Sequence, residues 1–396
     1  MKYALIIPDG AADVPLDELG GKTPLEAAEI PNIDWIAANG KIGTVQTVPA
    51  GMPCGSDVAI LSVLGYDPRQ YYTGRAPLEA AAQGLRIADD EVVFRCNLVT
   101  IVDGRMEDYS AGHISTQEAA ALIDELNDKI AVEGVRFYAG VSYRHLMTFR
   151  GRAEVQTTPP HDILGQQAAA HLPRGADAAA FRVLMERSRD VLAAHEINTI
   201  RTDLGENPAT SIWLWGQGKM PTLPAFAGRF GLKGKAITAV DLVRGIARLI
   251  GWECVEVEGA TGFVDTNYAG KGAAAAAALD EADLVCVHVE APDEAGHNAD
   301  AAGKVRALQE VDRHVVGPVL QRLKAEGEGN WRICVLPDHP TPCTLRTHTG
   351  QAVPFAIAGE RIFAVRADRF TESIAAASDL HIARGCDLME YFLTVR

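Results

Sequence analysis

The sequence lacks what several protein classes require. Its seven cysteines (Cys54, Cys96, Cys254, Cys286, Cys334, Cys343, Cys386) are odd in number and contain no C-x-x-C pair. Buried reduced thiols are therefore expected, not a disulfide frame or a zinc knuckle. No apolar run reaches spanning length, and the opening run stops at Pro8-Asp9-Gly10, too early for a signal-peptide core. The expectation is a cytoplasmic protein with no membrane partner. Positive charge is scarce: Lys and Arg total 37 against 52 Asp and Glu, a formal charge of -15. That field opposes nucleic acid as well as anionic membrane, so an anionic substrate must be held by metal ions or a few placed cations. No G-x-G-x-x-G follows the first apolar run, and Leu16 stands where a P-loop ending in Gly21-Lys22-Thr23 needs glycine. A G-x-S-x-G nucleophile elbow is also missing.

What is present reads as an α/β protein. At 396 residues with 47% hydrophobic content, the chain is long enough for two globular domains. Tyr3–Ile7, Ala282–Val289 (ADLVCVHV) and Trp331–Leu336 (WRICVL) are short apolar runs bounded by turn or charged residues, as buried parallel strands are. Cys286 and Cys334 sit inside two of them as small core residues. Thr23, Pro24 and Glu26 form a helix start. A helix near Val240–Ile250, a strand at Cys254–Val257 and an alanine-rich helix at Ala273–Ala278 packed on the sheet follow. Between residues 72 and 220 the pattern loosens to mixed α+β, which predicts a second domain inserted into a core of residues 1–71 and 221–396. The Gly- and Pro-rich passage Gly216–Gly234 reads as the return linker.

In an open α/β sheet, ligands bind beyond the carboxyl ends of the strands. Each apolar run above is followed there by acidic or imidazole residues: Asp9 after the first, Asp293 and His297 (EAPDEAGH) after the second, Asp338 and His339 (PDHPTP) after the third, with His348 (RTHTG) just beyond. A single aspartate after a strand is most often a cap. Three carboxylates and three imidazoles delivered to one rim suit two divalent ions, Mn, Mg, Zn or Co, better than Ca. Ser56, in Gly55-Ser56-Asp57, precedes the apolar segment Val58–Leu64. That puts a hydroxyl at a helix N-terminus, either as a plain cap or as a nucleophile activated by a neighbouring cation. In the inserted region His113 (SAGHIS) and His161 (PPHD) are candidates for substrate contact or proton transfer, with a structural role as the alternative. Arg144 and Lys271 are candidate anion contacts whose alternative is a solvated position, and Arg75 is assigned to the domain junction.

These motifs, with KTPLEAA at Lys22–Ala28, LGYDP at Leu64–Pro68 and YTGRAPLEA at Tyr72–Ala80, resemble the archaeal-type cofactor-independent phosphoglycerate mutases of the alkaline phosphatase superfamily over nearly the whole chain. The resemblance implies a phosphatase-like core with an inserted domain that closes over substrate. It implies one metal held by Asp9, Ser56, Asp338 and His339 and another by Asp293, His297 and His348. It further implies a small phosphorylated metabolite passing its phosphoryl group through a phosphoserine at Ser56, with water kept out. The residues set no oligomeric state.

Departures from that family suggest an alternative. DYSAGH at Asp108–His113 stands where the family tends to carry DRRAGR, and WLWGQG at Trp213–Gly218 where an L-R-G pattern is common. TPPHD at Thr158–Asp162 replaces a TDPH-like element. The missing arginines resemble a bacterial branch with a proposed homoserine kinase role, which would pass phosphate from ATP to a small hydroxy amino acid. A simple phosphatase and a metal-stabilised binding protein are the remaining readings.

Overall fold

The structure, a computed structural model, describes residues 1–365 and 367–395. The chain divides into two compact units, Met1–Tyr72 with Thr222–Arg396 and Thr73–Pro221. Strands follow in chain order: β1 (Lys2–Pro8), β2 (Lys41–Val45), β3 (Glu91–Val102), β4 (Arg105–Asp108), β5 (Val135–Tyr138), β6 (Arg144–Arg150), β7 (Ser211–Gly218), β8 (Gly234–Ile237), β9 (Glu253–Val255), β10 (Leu284–Val289), β11 (Trp331–Val335), β12 (Val353–Gly359) and β13 (His381–Ile382).

The first unit is built on a sheet in the order β13-β2-β12-β11-β1-β10-β8-β9. β1 lies between β10 and β11, parallel to both, with Ile7 opposite His288 and Ile6 opposite Val335. β12 runs antiparallel to its neighbours β11 and β2. The central strands are apolar along their length because both faces are covered: every residue of β10 and all but the first of β1 are buried. The three central strands end at one level, so the residues that follow them are neighbours by register.

Local signals act as read. Thr23 and Glu26 close a capping box on the helix Pro24–Ala27, and a helix covers Asp241–Leu249. The strand after it stops at Val255, short of Val257. The alanine-rich helix, Tyr268–Ala278, packs on β8 and β10 and also against the helical segment Asp312–Lys324. A Cβ on Gly272 would stand 1.9 Å from the His314 carbonyl oxygen, so the backbones approach too closely there for a side chain. All seven cysteines are free, and Cys54 alone of them is exposed.

The inserted unit carries the antiparallel sheet β4-β3-β6-β5, with β7 also paired to β3. The linker expected at Gly216–Gly234 needs correction. Gly216–Gly218 finishes β7, Phe226–Phe230 is helical and Gly234 opens β8. Glycines disguise this strand end: Gly216 has φ +62°, and the β3–β7 register shifts between Val93 and Arg95, a bulge that a glycine accommodates. No helix among the described residues is long and apolar enough to cross a membrane.

Candidate active site

The aligned ends of β10, β1 and β11 bring the strand-end residues together. Asp9, Asp338 and His339 present ligand atoms within 4.8 Å of one another, as do Asp293, His339 and His348, and Asp9, Glu290 and Asp293. Asp9, Asp338, His339 and Asp293 are buried. Gly10 lets the loops meet: it has φ +62°, and a Cβ there would stand 2.5 Å from Asp293 Oδ1 and 2.6 Å from Thr341 Oγ1.

Ser56 is the first residue of the helix Ser56–Val63. Its hydroxyl does not cap that helix. Oγ lies 3.2 Å from Asp9 Oδ2 and 3.1 Å from His339 Nε2. Behind it, Tyr72 donates to Asp57 Oδ2 at 2.6 Å and fixes the helix start.

Asp293 and His297 occupy one face of the short helix Ala291–His297, four residues apart, with Nε2 to Oδ2 at 3.2 Å. His297 and His348 face each other through Nε2 atoms 2.9 Å apart. Their Nδ1 atoms lie 3.0 Å from the Arg346 carbonyl and 3.1 Å from the Cys54 carbonyl. A carbonyl only accepts, so each Nδ1 carries a hydrogen and both Nε2 atoms turn toward each other and toward Asp293. The hydrogen bond to Asp293 raises the His297 pKa to about 9, so the facing nitrogens are satisfied either by a proton on His297 or by a divalent cation in its place.

Electrostatics give the same answer. Burial, then the neighbouring carboxylates of Asp338 and Asp293, push the Asp9 carboxyl well above the usual range. Burial opposes ionisation of Asp293 too, but hydrogen bonds from His297 and His348 outweigh it and hold that carboxyl well below the usual range. Packed carboxylates and inward-facing imidazole nitrogens form a donor set that divalent cations satisfy.

Two residues at this rim escape a sequence reading. His288, inside β10, sets Nε2 2.9 Å from Asp9 Oδ2. Burial drives its pKa down to about 4, so the ring is neutral, and its Nε2 makes no hydrogen bond despite the short approach. Glu290 follows the same strand, within electrostatic reach of Lys271. Lys271, allowed a solvated position by the sequence, is in fact buried at 1% exposure. Burial lowers its pKa to about 8 against the pull of Glu290.

The inserted unit holds a second constellation. Arg95 is 6% exposed, paired with Glu79 at 2.9 Å, and its guanidinium carbon lies 4.3 Å from the Trp215 ring centre. Burial, opposed by Glu79 and reinforced by Arg75 and Arg144, brings its pKa down to about 10. His161 stacks edge-on 5.3 Å from Trp215 and 6.0 Å from Tyr109. Burial lowers the His161 pKa, and Arg75 and Arg95 add to the effect against Asp162. Tyr109 meets Tyr143 at 5.7 Å, and Tyr143 contacts both His113, at 6.2 Å, and Arg144, at 5.3 Å. His113, His161 and Arg144 thus share one patch with Arg75 and Arg95. Asp108 shapes the loop carrying His113 by accepting from Ser110 N and Gly112 N, both at 2.7 Å. Ala111, Gly112 and His113 follow with φ of 49°, 67° and 50°.

A mostly parallel sheet bearing a cation-ready rim with a hydroxyl at its edge defines an α/β enzyme of phosphoryl transfer. Comparison with known proteins narrows the class. The family model for 2,3-bisphosphoglycerate-independent phosphoglycerate mutase matches residues 37–198. A protein of that name from Methanothrix thermoacetophila is 49% identical over 393 residues, 99% of this chain and 100% of the relative. One from Geobacter sulfurreducens, named as a probable mutase of the same kind, is 48% identical, over 99% of this chain and 100% of its own length. Among solved structures, a Pyrococcus horikoshii protein superimposes with TM-score 0.84 at 30% identity over 99% of this chain and 96% of the other. The cofactor-independent phosphoglycerate mutase of Thermoplasma acidophilum does so with TM-score 0.68 at 26% identity over 99% of each. The chain belongs to the 2,3-bisphosphoglycerate-independent phosphoglycerate mutase family.

The homoserine kinase alternative is not favoured by these relatives. The inserted unit carries arginine all the same: Arg75 and Arg144 lie near enough to Arg95 to help lower its pKa.

Proposed function

We propose that the protein interconverts 3-phosphoglycerate and 2-phosphoglycerate without 2,3-bisphosphoglycerate, through a phosphoserine at Ser56, as a cytoplasmic enzyme. The observation that carries this reading is the Ser56 hydroxyl, 3.1 Å from His339 Nε2 and 3.2 Å from Asp9 Oδ2 at the rim of the donor cluster. Asp9, Ser56, Asp338 and His339 are assigned to one divalent ion, and Asp293, His297 and His348 to the other. Mn, Mg, Zn and Co all suit these ligands. Bound there, the cations supply the charge that lowers the hydroxyl pKa and offsets the phosphoryl oxygens.

Asp9 and His339 orient Ser56 Oγ for attack on phosphorus. The new O–P bond forms as the bond to the substrate's 3-oxygen breaks, and the proton given up by Ser56 Oγ passes, in net terms, to that oxygen. Attack by the 2-hydroxyl on the phosphoserine then breaks the Oγ–P bond and passes its proton, in net terms, to Ser56 Oγ, which restores the serine. Arg75, Arg95 and Arg144 provide counter-charge for the substrate's carboxylate or phosphate. His113 and His161 are assigned to substrate hydrogen bonding, and Lys271 is a cation for the anion in the core unit. Keeping water from the phosphoserine is the role assigned to the inserted unit.

The test is mass spectrometry of Mn-loaded protein incubated with 3-phosphoglycerate, alongside an assay for 2-phosphoglycerate. A phosphoryl group on Ser56, product in wild type and neither in Ser56→Ala are expected. Product formation by Ser56→Ala at the wild-type rate defeats the reading.

A further inference from the structure

We propose that Thr341 is a positioning residue that sets both halves of the donor cluster at once, held in place by the buried cation of Lys304. The inference rests on the cluster being a metal site, and it concerns a side chain that itself binds no ion.

Thr341 is fully buried. Its Oγ1 donates to Asp293 Oδ1 and lies 3.3 Å from His339 Nδ1. A hydroxyl has one proton, and here the carboxylate takes it, so toward the ring the oxygen can only accept. His339 Nδ1 therefore carries the hydrogen. The Nε2 lone pair then faces Ser56 Oγ at 3.1 Å, Asp338 Oδ2 at 3.4 Å and Asp9 Oδ1 at 3.5 Å. One hydroxyl fixes the tautomer of a donor in one group and the orientation of a carboxylate in the other, as residues behind metal ligands do.

Thr341 is itself held. Lys304 Nζ donates to the Thr341 carbonyl at 2.8 Å and pairs with Asp13 Oδ2 at 2.9 Å. Both side chains of that pair are 0% exposed. Asp13 Oδ2 also accepts from Cys343 N at 3.1 Å. The loop after β1, which carries Asp9, is thereby stapled to the loop after β11, which carries Asp338 and His339. With the Ala12 carbonyl 3.4 Å away as a third oxygen, this buried lysine is a fixed strut.

The experiment is titration of metal-free protein with Mn2+, read as stoichiometry and affinity, for wild type, Thr341→Val and Thr341→Ser. Valine keeps the branched shape and removes the hydroxyl. Serine keeps the hydroxyl. Thr341→Val is expected to lose roughly 10- to 100-fold in Mn2+ affinity, with kcat falling in proportion and KM for 3-phosphoglycerate unchanged, while Thr341→Ser stays close to wild type. Wild-type Mn2+ binding by folded Thr341→Val, or Thr341→Ser as impaired as the valine variant, overturns the proposal. A second measurement needs no variant: histidine 15N NMR of the metal-free wild type, where His339 is expected as the Nδ1–H tautomer and Nε2–H overturns the assignment. Wild type that binds no Mn2+ is a different failure, which removes the metal reading and this proposal together. Two bound Mn2+ without phosphoserine formation removes only the mutase reading.

Discussion

Arg95 lays its guanidinium 4.3 Å from the centre of the Trp215 ring while pairing with Glu79 at 2.9 Å. Stacking and pairing lock the fork in one plane, so its remaining donors are pre-set for an anion. Replacing Arg95 with Met is expected to cost about 1.5–3 kcal/mol, roughly 10- to 150-fold in kcat/KM for 3-phosphoglycerate. Arg95→Lys, which keeps charge without the planar fork, should recover only part of it. Mn2+ binding by both variants should match wild type, which separates this patch from the donor cluster.

The facing imidazoles of His297 and His348 predict a dependence on metal. Chelator should abolish interconversion and Mn2+ should restore it. His297→Ala and His348→Ala should each bind one fewer equivalent of Mn2+ at a concentration that saturates wild type, as read by calorimetry. Ser56→Ala, by contrast, should keep the Asp293 ion while forming no phosphoenzyme.

Gly10 cannot carry a side chain. At φ +62° a Cβ would fall 2.5 Å from Asp293 Oδ1, so Gly10→Ala adds a backbone penalty of ~1 kcal/mol and a clash on top of it. The outcome expected is loss of Mn2+ binding together with a lower Tm, checked by calorimetric titration and thermal unfolding.

His145, 1% exposed, predicts the acid behaviour of the inserted unit. Its Nδ1 accepts from Gly140 N at 3.0 Å, and burial lowers its pKa from 6.5 to about 3. Below 6.5 the unfolded chain takes up a proton that the folded ring refuses, so stability falls as pH drops, by about 1.4 kcal/mol per pH unit until the folded pKa is reached. Between pH 6.5 and 4.5 wild type should lose roughly 2–3 kcal/mol more than His145→Gln in urea unfolding. Equal losses would show that the ring titrates normally.

Much of the core unit was legible because its signals are local. Buried parallel strands write themselves as apolar runs, and the residue after each run marks the strand's carboxyl end. Asp9, Asp293 and Asp338 could be read that way, while the shared helical face of Asp293 and His297 shows only in the structure. His288 and Glu290 were not legible, because a histidine inside VHV looks like one more core position. The arginine patch was hidden for a different reason. Arg75 opens the helix Arg75–Ala82, Arg95 lies on β3 and Arg144 begins β6. Only antiparallel pairing, with Asn97 opposite both Arg144 and Trp213, brings them into reach. The burial of Lys271 was not legible, because an isolated lysine in an alanine-rich helix gives no sign of which way it turns.

The pairing of β1 also fixes when the enzyme can come into being. Its two neighbours begin at Leu284 and Trp331, so a nascent chain holds β1 unmatched until those distant segments have been made. The inserted unit, whose strands all lie between Glu91 and Gly218, has its complete sheet well before that. Domains fold as they emerge. Hence the half that carries the arginines matures first, and the half that carries Ser56 follows only once β10 and β11 have emerged.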